Sequence, residues 1–278
     1  MAAVVGLIAA RRGLRTIVAE VAARDDVTRA LEAASPGRYA EREIAPGLHH
    51  ISIDPEAALE EYLRDQLPAP LAELLAQSRM FTVLAAATPG MRELLSIGKV
   101  WELAQAARRQ PGAEPYDLVV LDAPATGHGV AILEAPRTFA GAARVGSVAR
   151  QGRTIHAMLS DPARTAVVAV TTPEELPVNE TLAFRDAVRG QLGGDLALVV
   201  VNGVRPDRFT EGEADALRAD GSAAARVALA AHERARAQRG QIARLKRALD
   251  GAVPTIRVPF TPTGADLDLI ADRLERAL

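Results

Sequence analysis

The sequence predicts an α/β protein built on a doubly wound, mostly parallel sheet, and three observations carry that prediction. Short runs rich in Val, Ile and Leu recur along the chain, as in strands buried on both faces. Helical patterns of Ala, Leu, Arg and Glu lie between them, and such alternation builds parallel sheets through right-handed crossovers. Of the 278 residues, 49% are apolar and 24% charged, the usual balance of a folded domain with a large core.

The elements follow in order. Met1–Arg12 reads as a helix stopped by Gly13 in the C′ position, and it feeds a buried strand at Arg15–Val21. Further strands are expected at Leu48–Ile53, Asp117–Asp122, Thr165–Thr171, Leu196–Asn202 and Val253–Val258. Two segments exceed what a plain crossover needs. Residues 55–110 carry two or three helices, and residues 137–160 carry one or two more, so both read as helical insertions into a single domain spanning residues 1–278. A long helix over Ser222–Asp250 has Ser222 as its N-cap and Gly251 as its stop. Its many arginines read as a solvated face.

Composition excludes several classes of function. A net charge of −2 supplies no field to gather nucleic acid or an anionic membrane. Without cysteine there are no disulfides, thiolate metal sites or cysteine nucleophiles. Met1–Ala10 is apolar ahead of Arg11 and Arg12, the reverse of a signal peptide's order. No apolar run approaches the roughly 18 residues of a membrane span. These features together predict a cytoplasmic protein.

The chemistry is expected at strand ends. The Asp117–Asp122 strand ends in a carboxylate, and Ala123-Pro124-Ala125-Thr126-Gly127-His128-Gly129 follows as a glycine-bearing loop. Ligands of open α/β sheets bind beyond the carboxyl ends of the strands. A carboxylate there suits Mg²⁺ bridging β- and γ-phosphate oxygens, and the Gly127 amide is placed to sense the γ-phosphate. The bland alternative is an aspartate that caps the next helix. Asn202 ends another strand; its amide suits the edge of an adenine ring or, equally, a turn. Pro259 and Phe260 supply an apolar wall for a base or simply a strand exit. A chain that opens on a helix rather than a strand implies that a strand and turn precede it. The sequence contains no phosphate loop of the form G-x-x-x-x-G-K-S/T, since its two lysines, Lys99 and Lys246, lie elsewhere. A dinucleotide fingerprint is absent too, because Ala22-Ala23-Arg24-Asp25 follows Val21.

Taken together, Asp122–Gly129 (DAPATGHG), Thr172–Glu180 (TPEELPVNE), Val201–Asn202 and Pro89–Leu103 (PGMRELLSIGKVWEL) resemble the ArsA-like ATPases. These are P-loop NTPases that include arsenite-pump motors and factors delivering tail-anchored membrane proteins. The resemblance runs from the first helix to the last and implies ATP and Mg²⁺ as ligands. It implies that Asp122 serves Mg²⁺, that Thr126, Gly127 and His128 form a γ-phosphate switch, and that Asn202, Pro259 and Phe260 hold adenine. It also implies a homodimer, or a heterodimer with a paralogous ATPase, and a protein client.

The departures are specific. Family members begin with a strand and a loop of the form GKGGVGK followed by Ser or Thr, just ahead of a helix that resembles Met1–Arg12. Ala22 occupies the place where many carry a water-orienting aspartate, with Asp25 or Asp26 as substitutes or merely helix caps. Without cysteine, neither the paired-cysteine zinc site nor thiolate activation by arsenite is open to this chain. Met80, Met91 and Met158 alone lie in the helical insertions, too few for a broad groove that takes transmembrane helices. Leu94, Leu95, Val100 and Leu103 read as core. The expectation is an ATPase that couples Mg-ATP hydrolysis to conformational change, the alternative a non-hydrolysing partner subunit that kept the fold.

Overall fold

A computed structural model of the chain describes residues 1–21, 24–34, 37–78, 87–110, 112–124, 126–143, 146–262 and 266–276. The chain divides into two compact units, Met1–Thr165 and Ala166–Leu278. Each has its own sheet. The α/β character, the parallel pairing and the helical crossovers match the sequence prediction, whereas the strands expected in one sheet form two, of four and three strands. Among the described residues no strand pairs with the second edge of the Leu118–Asp122 strand or of the Val168–Thr171 strand, so each ends its own sheet.

The first unit opens with helix α1 (Ala2–Arg11), which turns through Gly13 at φ +81° into β1 (Thr16–Val21). Then come α2 (Asp26–Ala30), β2 (Arg42–Ala45), β3 (Leu48–Ile53), helices α3 (Pro55–Gln66), α4 (Ala69–Ala76) and α5 (Met91–Leu103), and β4 (Leu118–Asp122). Two helices close the unit, α6 (Thr126–Ala143) and α7 (Ser147–Leu159). The sheet order is β2-β3-β1-β4, with β1 parallel to both β3 and β4. All six residues of β1 are buried, as expected of a strand covered on both faces. Strand β2 was not anticipated. Its four residues, two exposed and two half-buried, pair antiparallel with β3 across a Pro46-Gly47 turn in which Gly47 sits at φ +73°; so short a run carries no readable period.

The second unit runs β5 (Val168–Thr171), α8 (Glu175–Leu192), β6 (Leu198–Val204), α9 (Glu211–Asp220), α10 (Ala223–Leu249), β7 (Thr255–Pro259) and α11 (Leu267–Glu275). Its sheet, β5-β6-β7, is wholly parallel. Helix α10 begins and ends where the sequence places it: the Ser222 hydroxyl accepts from the Ala225 N–H at 3.1 Å, and Asp250 and Gly251 take left-handed conformations. Strand β5 departs from the expected burial on both faces. As the edge of its sheet it alternates, leaving Val168 and Val170 exposed.

Two glycines are demanded by packing. A Cβ on Gly6 of α1 would stand 2.8 Å from both Leu48 Cδ1 and Val18 Cγ2, so the glycine lets the helix lie close on the sheet. A Cβ on Gly152 of α7 would stand 2.6 Å from the backbone oxygen of Pro136 in α6. Helix α3 is capped by Asp54, whose carboxylate accepts from the N–H groups of Glu56 and Ala57, with Pro55 at the first helical position. In the helical segment after it, Leu94, Val100 and Leu103 are buried and Leu95 is partly so, the core role the sequence assigned them. Met80 lies outside the described residues.

Candidate functional site

Because β1, β3 and β4 are parallel, their carboxyl ends share one edge of the first sheet. Asp122 closes β4 there, opposite Glu20 of β1 in register. Helix α1 packs on β1 and β4, and the amino group of Met1, at its start, acts electrostatically on Asp122. Asp122 is half-buried, and its pKa is pushed above the usual carboxylate value of 3.8. Burial is the main cause; the nearby charges of Glu20 and Asp26 add to it, while the Met1 amino group and Arg24 work the other way. A cation arriving at this edge would relieve that unfavourable charge.

Glu20 and His50 are site-edge residues that the sequence reading did not single out. Both are fully buried, with His50 Nε2 at 2.8 Å from Glu20 Oε2. The Glu20 carboxylate also accepts from the backbone N–H groups of Asp26 and Val27, at 3.1 and 3.0 Å, and so anchors the start of α2. Burial raises the Glu20 pKa, but the His50 hydrogen bond and charge and the two backbone bonds outweigh it, and the net shift is downward. Glu20 is therefore a fixed negative charge beside Asp122. The signal for it was present in the sequence, a lone glutamate inside the apolar run TIVAEV.

The Asp122–Gly129 segment is less loop than expected. Helix α6 starts at Thr126, so Gly127 and His128 lie in its first turn, where backbone N–H groups have no partner within the helix. Gly127 is exposed, and a Cβ on it would meet nothing within 4 Å. Ala125 lies outside the described residues, as do the side chains of Thr126 and His128 and the whole of Ala22.

In the second unit the three residues expected around a base come together. Asn202 lies half-buried in β6, and Pro259 ends β7 with Val204 as its register partner. The Phe260 N–H donates to the Val204 carbonyl at 2.9 Å, and the Arg205 guanidinium stacks 4.4 Å from the centre of the Phe260 ring. Gln238 of α10, buried, ties this edge together: its oxygen accepts from the Arg205 N–H at 2.9 Å, and its amide donates to Glu174 at the start of α8 at 3.1 Å. The carboxyl ends of β6 and β7 thus carry an exposed aromatic face, a guanidinium and an amide within one hydrogen-bonded frame. The structure brings Asn202, Pro259 and Phe260 to one edge and Asp122, Gly127 and His128 to another.

Among the described residues no three His, Asp or Glu side chains are grouped to hold a metal ion. Mg²⁺ takes one or two protein carboxylates and fills its sphere with water and phosphate, so a single strand-end carboxylate is chemically suited to it. Asp122 is the residue that would hold it.

Parallel strands whose carboxyl ends carry an acid, followed directly by a helix N-terminus, are consistent with an α/β fold of the P-loop NTPase type. Residues 37–144 match the anion-transporting ATPase family, ArsA. Over 232 residues the chain is 31% identical to the ATPase BagA of Mycobacterium tuberculosis and to a putative ATPase of Mycobacterium bovis, covering 78% of this chain and 66% of each relative. Over 180 residues it is 30% identical to a putative arsenical pump-driving ATPase of Halobacterium salinarum, covering 60% of this chain and 26% of that protein. The chain belongs to the ArsA-like ATPase family. It spans about two thirds of the length of its mycobacterial relatives, and none of its described helices is long and apolar enough to cross a membrane.

Proposed function

We propose that this chain is an ArsA-type nucleotide-binding subunit that takes Mg-ATP at the carboxyl edges of its parallel strands. The observation that carries the reading is the half-buried Asp122, held at a strand end with its charge only partly offset, beside the starts of α1 and α6. Asp122 serves Mg²⁺; the backbone N–H groups in the first turn of α6, Thr126 to His128, meet the γ-phosphate; and Asn202, Pro259 and Phe260 receive the adenine. Bound Mg²⁺ would neutralise charge between the β- and γ-phosphates. Glu20, clamped by His50, keeps α2 anchored beside the strand end. The output is conformational change in a homodimer or in a pair with a paralogous ATPase, acting on a protein client in the cytoplasm. The names of the relatives, an ATPase and an arsenical pump-driving ATPase, support nucleotide hydrolysis as the family's chemistry.

A second reading is favoured by one feature. Ala22, by the resemblance, replaces a water-orienting aspartate, which fits a subunit that binds nucleotide without turning it over. Both readings place Mg-ATP on Asp122, which a direct titration tests. ATP binding by the full-length protein should need Mg²⁺, and Asp122→Asn should weaken it at least tenfold. Binding that is indifferent to Mg²⁺ or to the substitution would remove Asp122 from the site. Steady-state hydrolysis by the same protein then distinguishes the enzyme from the silent subunit.

A further inference from the structure

Away from the strand ends, the first unit encloses a second site. A cavity of about 260 Å³ lies among α3, α5 and α7. Its walls are mostly apolar, with Leu59 and Leu63 from α3, Met91 and Leu94 from α5, and Ile155 from α7. Tyr39, Glu61, Lys99 and Glu102 make a polar wall. An apolar chamber with a few fixed polar groups is the usual form of a small-molecule site.

The polar wall belongs to a buried ionic network whose charges do not balance. Lys99 Nζ lies 2.9 Å from Glu61, 3.0 Å from Glu102 and 3.8 Å from Glu41. Arg108 bonds Glu102 at 2.9 Å and Glu41 at 2.7 Å. The Tyr39 and Tyr116 hydroxyls donate to Glu61 and Glu41. Three carboxylates thus share two cations. Arg109, which also lines the cavity, is committed to Asp65 at 2.6 Å. The surplus negative charge is least covered at Glu61, whose side chain is 24% exposed against 17% for Glu41 and 2% for Glu102.

We propose that this cavity binds a small cationic amphiphile, its ammonium head against Glu61 and its hydrocarbon body among Leu59, Leu94 and Ile155. The head completes the charge balance of the network, and the body fills apolar space that water solvates poorly. A carboxylate head of the same size would meet the surplus charge and be rejected. The proposal stands apart from the nucleotide reading and does not depend on it.

Three probes of equal chain length, hexylammonium, hexanol and hexanoate, test it by calorimetric titration at matched ionic strength. Hexylammonium should bind at least tenfold more tightly than hexanol, and hexanoate should not bind measurably. Glu61→Gln keeps an oxygen for Lys99 and Tyr39, and should abolish the preference for the amine over the alcohol. Gly98 of α5 also lines the cavity, and the nearest atom to a Cβ there is Ile155 Cδ1 at 3.9 Å. Gly98→Ala should therefore leave binding intact, whereas Gly98→Leu should fill the chamber and lose it. Failure of all three probes to bind, equal binding of amine and carboxylate, or unchanged amine binding in Gly98→Leu would each overturn the proposal.

Discussion

Glu20 is a charge buried because the fold satisfies it. Its carboxylate is bonded to His50 and to two backbone N–H groups of α2, and removal leaves these partners unpaired at about 1–3 kcal/mol each. Glu20→Ala should lower stability in urea by at least about 2 kcal/mol at neutral pH. The pH dependence follows from the downward shift of its pKa. The stabilisation is fully present above the ordinary value of 4.5 and is lost as pH falls through the lower value of the folded state. The gap between wild type and variant should therefore narrow in acid; one that widened below pH 4.5 would contradict the assigned role. Asp122, its register partner on the neighbouring strand, has the opposite sign. Its raised pKa means that the folded protein pays for its ionisation, a cost absent below the unfolded value and present above the folded one.

At the scale of elements, two glycines in helices separate packing from function. Gly152 is held against a backbone oxygen that cannot swing away, so Gly152→Ala should force α6 and α7 apart at a cost of about 1–3 kcal/mol. A thermal melt lowered by about 2–4 °C per kcal/mol would register it; an unchanged melt would refute the close crossing. Gly127 has open space around it, and alanine favours a helix by about 0.8–1.0 kcal/mol over glycine. Gly127→Ala should therefore melt no lower than wild type. Any loss of γ-phosphate discrimination, measured as the ratio of ATP to ADP affinity, then reports on nucleotide recognition rather than folding. Element positions were largely legible in the sequence. Ser222 and Gly251 framed α10 through local capping chemistry, and strands such as β1 and β6 declared themselves by their apolar runs. Strand β2 escaped because four amphipathic residues carry no period. The helical start at Thr126 escaped because glycines at 127 and 129 read more readily as loop than as a first turn.

For the whole molecule, legibility followed sequence distance. The strand-end residues were readable because strand and exit are adjacent in the chain. The network of Glu41, Glu61, Lys99, Glu102 and Arg108 was not, since its members lie up to 67 residues apart and meet only when α3, α5 and the segments just before β2 and just after α5 come together. At this scale the central claim is that Asp122 is kept at a cost to the fold because it serves Mg²⁺ and nucleotide. Thermal melts of wild type and Asp122→Asn at neutral pH, with and without Mg-ATP, test it most directly in the full-length protein. Without ligand the variant should melt higher, since the asparagine sheds a charge the site disfavours. With Mg-ATP the order should reverse, because only wild type gains the stabilisation that tight binding confers. Melts that rise equally in both proteins on adding Mg-ATP, or a variant already less stable without ligand, would contradict it.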